Sequence, residues 1–289
     1  MADLSQSTAY LLTRDYHEAV RLESQHLLWS LHTGYTIHPE IPIANDMAVA
    51  DLGAGSGIWA LELSTLIPAT ARITGYDISD SAFPSKEYWP DNTSFEILDC
   101  LGDIPAELQG QFDVVHLRMW ALIIRENDPS VLIRNAVKML KPGGHLQWED
   151  ARFNSVVTRG EAAERVRELM RAANTATRTD FRWLDSLPAH TTLVAPNLSI
   201  LHHANNPWSA RHLIPLCMHT FLLALESSGR MLDQLRKIVP IEGIPDQAEW
   251  NSALAALHED IRGLPNGTGV GGQYFWEPVV FLGRKEGGS

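Results

Sequence analysis

The chain has 289 residues, 20% of them charged and 45% hydrophobic, with a formal net charge of −12. That balance disfavours a general nucleic-acid surface, which needs clustered Lys and Arg, and two cysteines far apart in sequence, Cys100 and Cys217, exclude a disulfide framework. The most apolar stretch, 212–225, is too short for a membrane span, and Met1 to Gln6 lacks the basic and apolar regions of a signal peptide, so a cytoplasmic protein is expected.

Residues 1–45 precede the first strand. Asp15-Tyr16-His17-Glu18 has the acid-x-x-Glu form of a capping box, and Ala19, Leu22, His26 and Trp29 then share one helical face until Pro39 and Pro42 end the segment. The pattern predicts a packing helix that covers the sheet edge. Met47-Ala48-Val49-Ala50 predicts a strand, Asp51-Leu52-Gly53-Ala54-Gly55-Ser56-Gly57 a turn, and Ile58 to Leu66 a helix. Small residues let the backbone approach a ligand, and the helix start offers unpaired N–H groups and the positive end of a dipole. The third glycine comes one residue too early for the dinucleotide fingerprint G-x-G-x-x-G, and no lysine follows as in a phosphate loop.

Ile73 to Ile78 predicts a second strand ending in a carboxylate, Asp77, 20 residues past Gly57, where a doubly wound fold grips ribose hydroxyls. Phe95 to Cys100 reads as a third strand with Asp99 near its end, Phe112 to Leu117 as a fourth, and Leu140 to Trp148 as the turn into a fifth. A helix from Pro129 to Leu140, capped by Asp128 and stopped at Pro142-Gly143-Gly144, separates the last two. Strand–helix alternation over 46–158 predicts an α/β fold with helices on both faces of a parallel sheet. Residues 159–265 interrupt the sheet: Ala162, Val166, Leu169 and Ala173 mark one helix, His212 to Ser227 another, and Trp250, Leu254, Leu257 and Ile261 a third, capped by Asp246 and stopped at Gly263. Leu198 to His203 is a short strand between them, and residues 266–289 hold a last strand, Tyr274 to Gly283. One domain with a helical cap is expected.

Asp51 ahead of G-x-G-x-G resembles motif I of the class I S-adenosylmethionine-dependent methyltransferases. The leader around Asp15-Tyr16, Arg21-Leu22, Gln25-His26 and Trp29, the run Asp113-Val114-Val115-His116-Leu117-Arg118, and Pro142-Gly143-Gly144 leading to Leu146-Gln147-Trp148-Glu149-Asp150 narrow this. Together they are similar to the small-molecule methyltransferases of fungal secondary metabolism. The resemblance implies a doubly wound, Rossmann-like sheet of seven mostly parallel strands, closed by an antiparallel one, with residues 1–45 as a helical lid. It implies S-adenosylmethionine as cofactor, with Asp51, Gly53, Ala54 and Gly55 facing its amino-acid end. Asp77 and Ile78 would take the ribose, and Asp99 with the N–H of Cys100 the adenine. Tyr16 and Arg21 in the lid, and Arg118, are candidates for the methionine end. The implied activity is O- or N-methylation of a small natural product by a monomer or homodimer, with no nucleic-acid or membrane partner. A cyclase that keeps the cofactor without methyl transfer, or a protein-directed regulatory methyltransferase, is an alternative, because fold does not fix function.

Methyl transfer from a sulfonium is an in-line displacement, and alignment alone can supply about 7–11 kcal/mol of its barrier. A hydroxyl acceptor also needs a base within hydrogen-bond reach, and the candidates are His116, Glu149 and His219. Period-two alternation puts His116, Arg118 and Trp120 on one side of strand four. Each has a structural alternative. His116 also fits a hydrogen-bonded half-buried histidine, Arg118 an ion-pair partner of Glu149 or Asp150, those two acids salt-bridged structural groups, and His219 a core histidine on a helix face with Pro215 and Leu222. No His-Glu-x-x-His, Cys-x-x-Cys or Asp-Asn pattern supports a metal site, and no Gly-x-Ser-x-Gly elbow follows a strand.

Overall fold

The computed structural model describes residues 16–176, 179, 181–208, 210–238, 245–263 and 271–287. Apolar runs buried on both faces form five parallel strands: β1 (Ala48–Leu52), β2 (Arg72–Asp77), β3 (Thr93–Ile97), β4 (Phe112–Arg118) and β5 (Leu140–Ala151). Helices cover both sides, as such strands require. Along β1, Ala48, Ala50 and Leu52 enter the core shared with α3 (Ser130–Met139) and α5 (Leu187–Val194), whereas Val49 packs with α2 (Ile58–Leu66). The N-cap of α3 is at Pro129, one residue later than expected, although Asp128 Oδ1 still accepts the Ser130 N–H at 2.9 Å.

Two further strands complete the sheet in the order β3-β2-β1-β4-β5-β9-β7, where β7 is Leu198–Asn205 and β9 is Pro278–Lys285. β9 runs antiparallel to both neighbours, as expected of the closing strand. The expected strand Tyr274 to Gly283 is divided, however. Pro278 has no N–H and opens β9, while β8 (Gln273–Phe275) leaves the sheet and pairs with β6 (Val157–Arg159) in a separate ribbon.

The cap consists of α1 (Tyr16–Thr33), α4 (Glu161–Ala176), α6 (Leu213–Ile238) and α7 (Gln247–Ile261), packed with the ribbon around Trp29, Phe221, Trp250, Tyr274 and Trp276. Asp246 caps α7 by accepting the Glu249 N–H at 2.7 Å. Among the described residues, no helix is long and apolar enough to cross a membrane.

Candidate active site

The glycine turn links β1 to α2 through left-handed backbone. Gly57 caps α2 at φ 74°, and a Cβ there would stand 2.5 Å from the Phe95 ring, so no larger residue fits without displacing that ring from the middle of β3. The turn is tied to the neighbouring strand: Gly53 and Ala54 donate N–H groups to Tyr76 O at 2.8 and 2.9 Å, and Gly55 donates to Asp77 Oδ2 at 2.9 Å.

Across the α2 face of the sheet, register lines up a buried polar row. Asp51 lies opposite His116, and Arg118 opposite Glu149. Asp51 Oδ1 is 2.7 Å from His116 Nδ1, and the His116 ring stacks on Trp59 with centroids 3.8 Å apart. Arg118 donates Nε and Nη2 to Glu149 Oε2 at 3.0 and 2.7 Å. Burial opposes ionisation of Glu149, yet Arg118 and then His116 hold its pKa below the usual value. Helix α1 closes the row: His26 Nδ1 lies 3.0 Å from Arg118 Nη1, and the Trp29 ring lies 5.3 Å from the guanidinium.

Asp150 points to the opposite face. It accepts N–H groups from Trp120 at 2.9 Å, Ala121 at 3.1 Å, Ala151 at 2.9 Å and the Trp148 indole at 3.0 Å. Burial raises its pKa to about 7 against these donors. The bonds hold a turn in which Met119 has a φ of 59°, so side-chain alternation ends at Arg118. The expectation that Trp120 shares a side with His116 and Arg118 is therefore corrected. Trp120 packs with Leu117, donates its indole N–H to Leu52 O at 2.9 Å, and would touch a Cβ on Gly53 at 3.0 Å.

A cavity of about 740 Å³ opens at the carboxyl ends of these strands, at the switch point where β1 parts β2 from β4. One end is walled by Gly53, Gly55, Asp77, Ile78, Asp99 and Cys100. Arg21, ion-paired with Glu18 at 2.6 Å, and Arg118 stand beside it. The far wall is apolar, with Met119, Phe153, Met170, Phe221, Leu225 and Trp276.

Residues 37–194, more than half of the chain, match the family described as a methyltransferase domain. The chain belongs to that family. Among curated relatives, the methyltransferase grgD of a Penicillium species is 29% identical over 172 residues, which is 57% of this chain and 59% of grgD. The N-methyltransferase sirN of Leptosphaeria maculans is 36% identical over 149 residues, 50% of each chain, and gliN of Aspergillus fumigatus, also named an N-methyltransferase, is 29% identical over 143 residues, 49% of this chain and 50% of gliN. The chain thus spans about half the length of the curated relatives it matches. A solved phosphoethanolamine N-methyltransferase 2 of Haemonchus contortus in complex with S-adenosylmethionine superposes with a TM-score of 0.50 at 11% identity, covering 94% of this chain and 53% of that one, and shares the fold.

In this methyltransferase domain the three candidate bases do not reach the cavity. His219 is exposed, because Cys217, Phe221, Ala224 and Leu225 form the inward face of α6 and leave His219 and Pro215 outside. Glu149 and His116 lie within the polar row behind Arg118, and both are fully buried. Asp51 faces His116 and Ala54 packs beside the α2 core, both outside the cavity wall. The Tyr16 side chain and Asp15 lie outside the described residues. The inward face of α6 follows an apolar period of three and four that is present in the sequence, and His219 lies off it. His219→Ala is accordingly expected to leave turnover unchanged and to shift stability by no more than about 0.5 kcal/mol, as surface changes do. A several-fold fall in rate, measured by product formation, would return His219 to the site.

Proposed function

We propose that the chain binds S-adenosylmethionine and transfers its methyl group to a nitrogen of a small, largely apolar acceptor. The observation that carries this reading is a single cavity joining the glycine turn and two strand-end acids to an apolar wall. The residues present suit the cofactor. Asp77 offers a carboxylate for a vicinal diol, and Asp99, exposed at the rim, one for an exocyclic amine. Arg21 and Arg118 offer guanidinium groups for a carboxylate. The volume falls within the range of about 300–1,000 Å³ usual for small-molecule sites.

S-adenosylmethionine, when bound, supplies a methyl group on a sulfonium, already activated for displacement. The chain's own residues then have to align the acceptor and keep water out. Met119, Phe153, Phe221 and Trp276 provide apolar surface for both tasks. Among the described residues, the far wall carries no imidazole or carboxylate. Its polar groups are the hydroxyls of Thr220 and Ser228, which donate within α6 to Leu216 O at 3.0 Å and Ala224 O at 2.8 Å. A hydroxyl acceptor would lack a base there, whereas a neutral nitrogen attacks with its own lone pair. The N-methyltransferase names of sirN and gliN support the same choice. The test is calorimetric titration with S-adenosylhomocysteine, followed by mass spectrometry of matched secondary amines and phenols incubated with S-adenosylmethionine. Methylated nitrogen compounds are expected; methylation of the phenols alone would overturn the choice of nitrogen, and absence of heat would overturn the cofactor.

A further inference from the structure

We propose that His26 is a positioning residue for the cofactor site: its Nδ1 lone pair fixes Arg118 so that two guanidinium N–H groups face the cavity and receive the amino-acid carboxylate of S-adenosylmethionine. This rests on the cofactor reading above.

The donor arithmetic carries the argument. A guanidinium has five N–H groups and accepts nothing. Arg118 commits Nε–H and one Nη2–H to Glu149 Oε2, and one Nη1–H to His26 Nδ1 at 3.0 Å. One N–H remains on each terminal nitrogen, the pairing a carboxylate takes, and Arg118 stands in the cavity wall.

His26 must therefore accept through Nδ1 and carry its proton on Nε2, which lies 3.0 Å from Glu62 Oε2. That carboxylate is held in turn by Thr36 Oγ1 at 2.6 Å and Ser30 Oγ at 3.2 Å. The charged and titratable groups facing the ring are Arg118 and His116 from β4, Glu62 from α2, and Glu149 from β5 behind Arg118. Burial, then Arg118, pushes the His26 pKa down to about 4, so the accepting lone pair is free at neutral pH. Glu149 alone fixes one edge of the guanidinium; His26 fixes the other and ties it to α1, the helix that also carries Arg21.

Two substitutions separate the two ring nitrogens. His26→Asn keeps an acceptor at the δ position and loses the reach to Glu62, whereas His26→Gln keeps that reach and loses the δ acceptor. The probes are S-adenosylhomocysteine and 5′-methylthioadenosine, which lacks the amino-acid moiety, titrated calorimetrically into the full chain at neutral pH with thermal unfolding recorded in parallel. His26→Gln is expected to bind S-adenosylhomocysteine roughly tenfold more weakly, the effect of losing one well-placed hydrogen bond, with methylthioadenosine affinity unchanged and His26→Asn close to the parent. Equal losses for both probes, or equal affinities in the two variants, overturn the proposal. Arg118→Lys keeps the charge against Glu149 and loses the fork; it must show the same selective loss, and this arm decides the matter if His26→Gln does not fold. Parent protein that binds neither probe would defeat the cofactor reading instead.

Discussion

Asp150→Ala is expected to cost about 4 kcal/mol of stability, because it strands four buried N–H groups, each worth roughly 1–3 kcal/mol when left unpaired. These are the backbone donors of Trp120, Ala121 and Ala151 and the Trp148 indole, and no described side chain stands ready to replace the carboxylate. The turn that carries Met119 and Trp120 into the cavity wall should loosen as well, so S-adenosylhomocysteine affinity falls together with stability. Denaturant unfolding checks the first part. A loss below about 1 kcal/mol would mean that water satisfies the donors. The pH dependence gives a second reading. The folded carboxyl titrates at about 7, above its ordinary 3.8, so the folded state holds a proton that the unfolded chain releases. This group's contribution is therefore fully present below pH ~4 and declines as pH rises toward ~7, by up to about 4 kcal/mol at ~1.4 kcal/mol per unit. The stability difference between the parent and Asp150→Asn should follow that slope.

The parts of the fold legible in the sequence were those governed by local rules. Ile58 to Leu66 follows a glycine turn and is a helix over those residues. Asp246 with Glu249 reads as a cap and is one. The acids closing the second and third apolar runs fall beside the glycine turn because parallel strands share one carboxyl edge, so spacing alone brings Asp77 and Asp99 to one cavity. What escaped was set by long-range packing. Nothing local marks Met119 for left-handed backbone; Asp150, 31 residues on, imposes it, and with it the reversal of Trp120. The divided last strand depends on a partner, Val157–Arg159, too short and too polar to stand out. Glu149 and Asp150 read together as salt-bridged structural acids, yet successive strand residues point to opposite faces. One acid meets Arg118 and the other four N–H groups, and they never compete. His26 reads locally as one residue of a packing face, because its contact with Arg118 spans 92 residues.

Asp77→Ala should weaken S-adenosylhomocysteine binding by roughly 10–150-fold, the equivalent of losing a charged hydrogen bond worth about 1.5–3 kcal/mol. The carboxylate already holds the Gly55 N–H at 2.9 Å and the Ser79 N–H at 3.3 Å, so it is oriented before any ligand arrives and spends no further ordering on it. Removing it has two consequences that must be told apart: loss of the ligand contact and loosening of the glycine turn. Asp77→Asn keeps an oxygen for Gly55 and removes the charge, so it isolates the first. A cycle with the 2′-deoxy analogue of S-adenosylhomocysteine completes the separation. If Asp77 receives the ribose hydroxyl, deleting that hydroxyl should weaken binding to the parent chain and have little further effect in Asp77→Ala. Equal losses in both proteins would mean that Asp77 shapes the turn and that the sugar is held elsewhere.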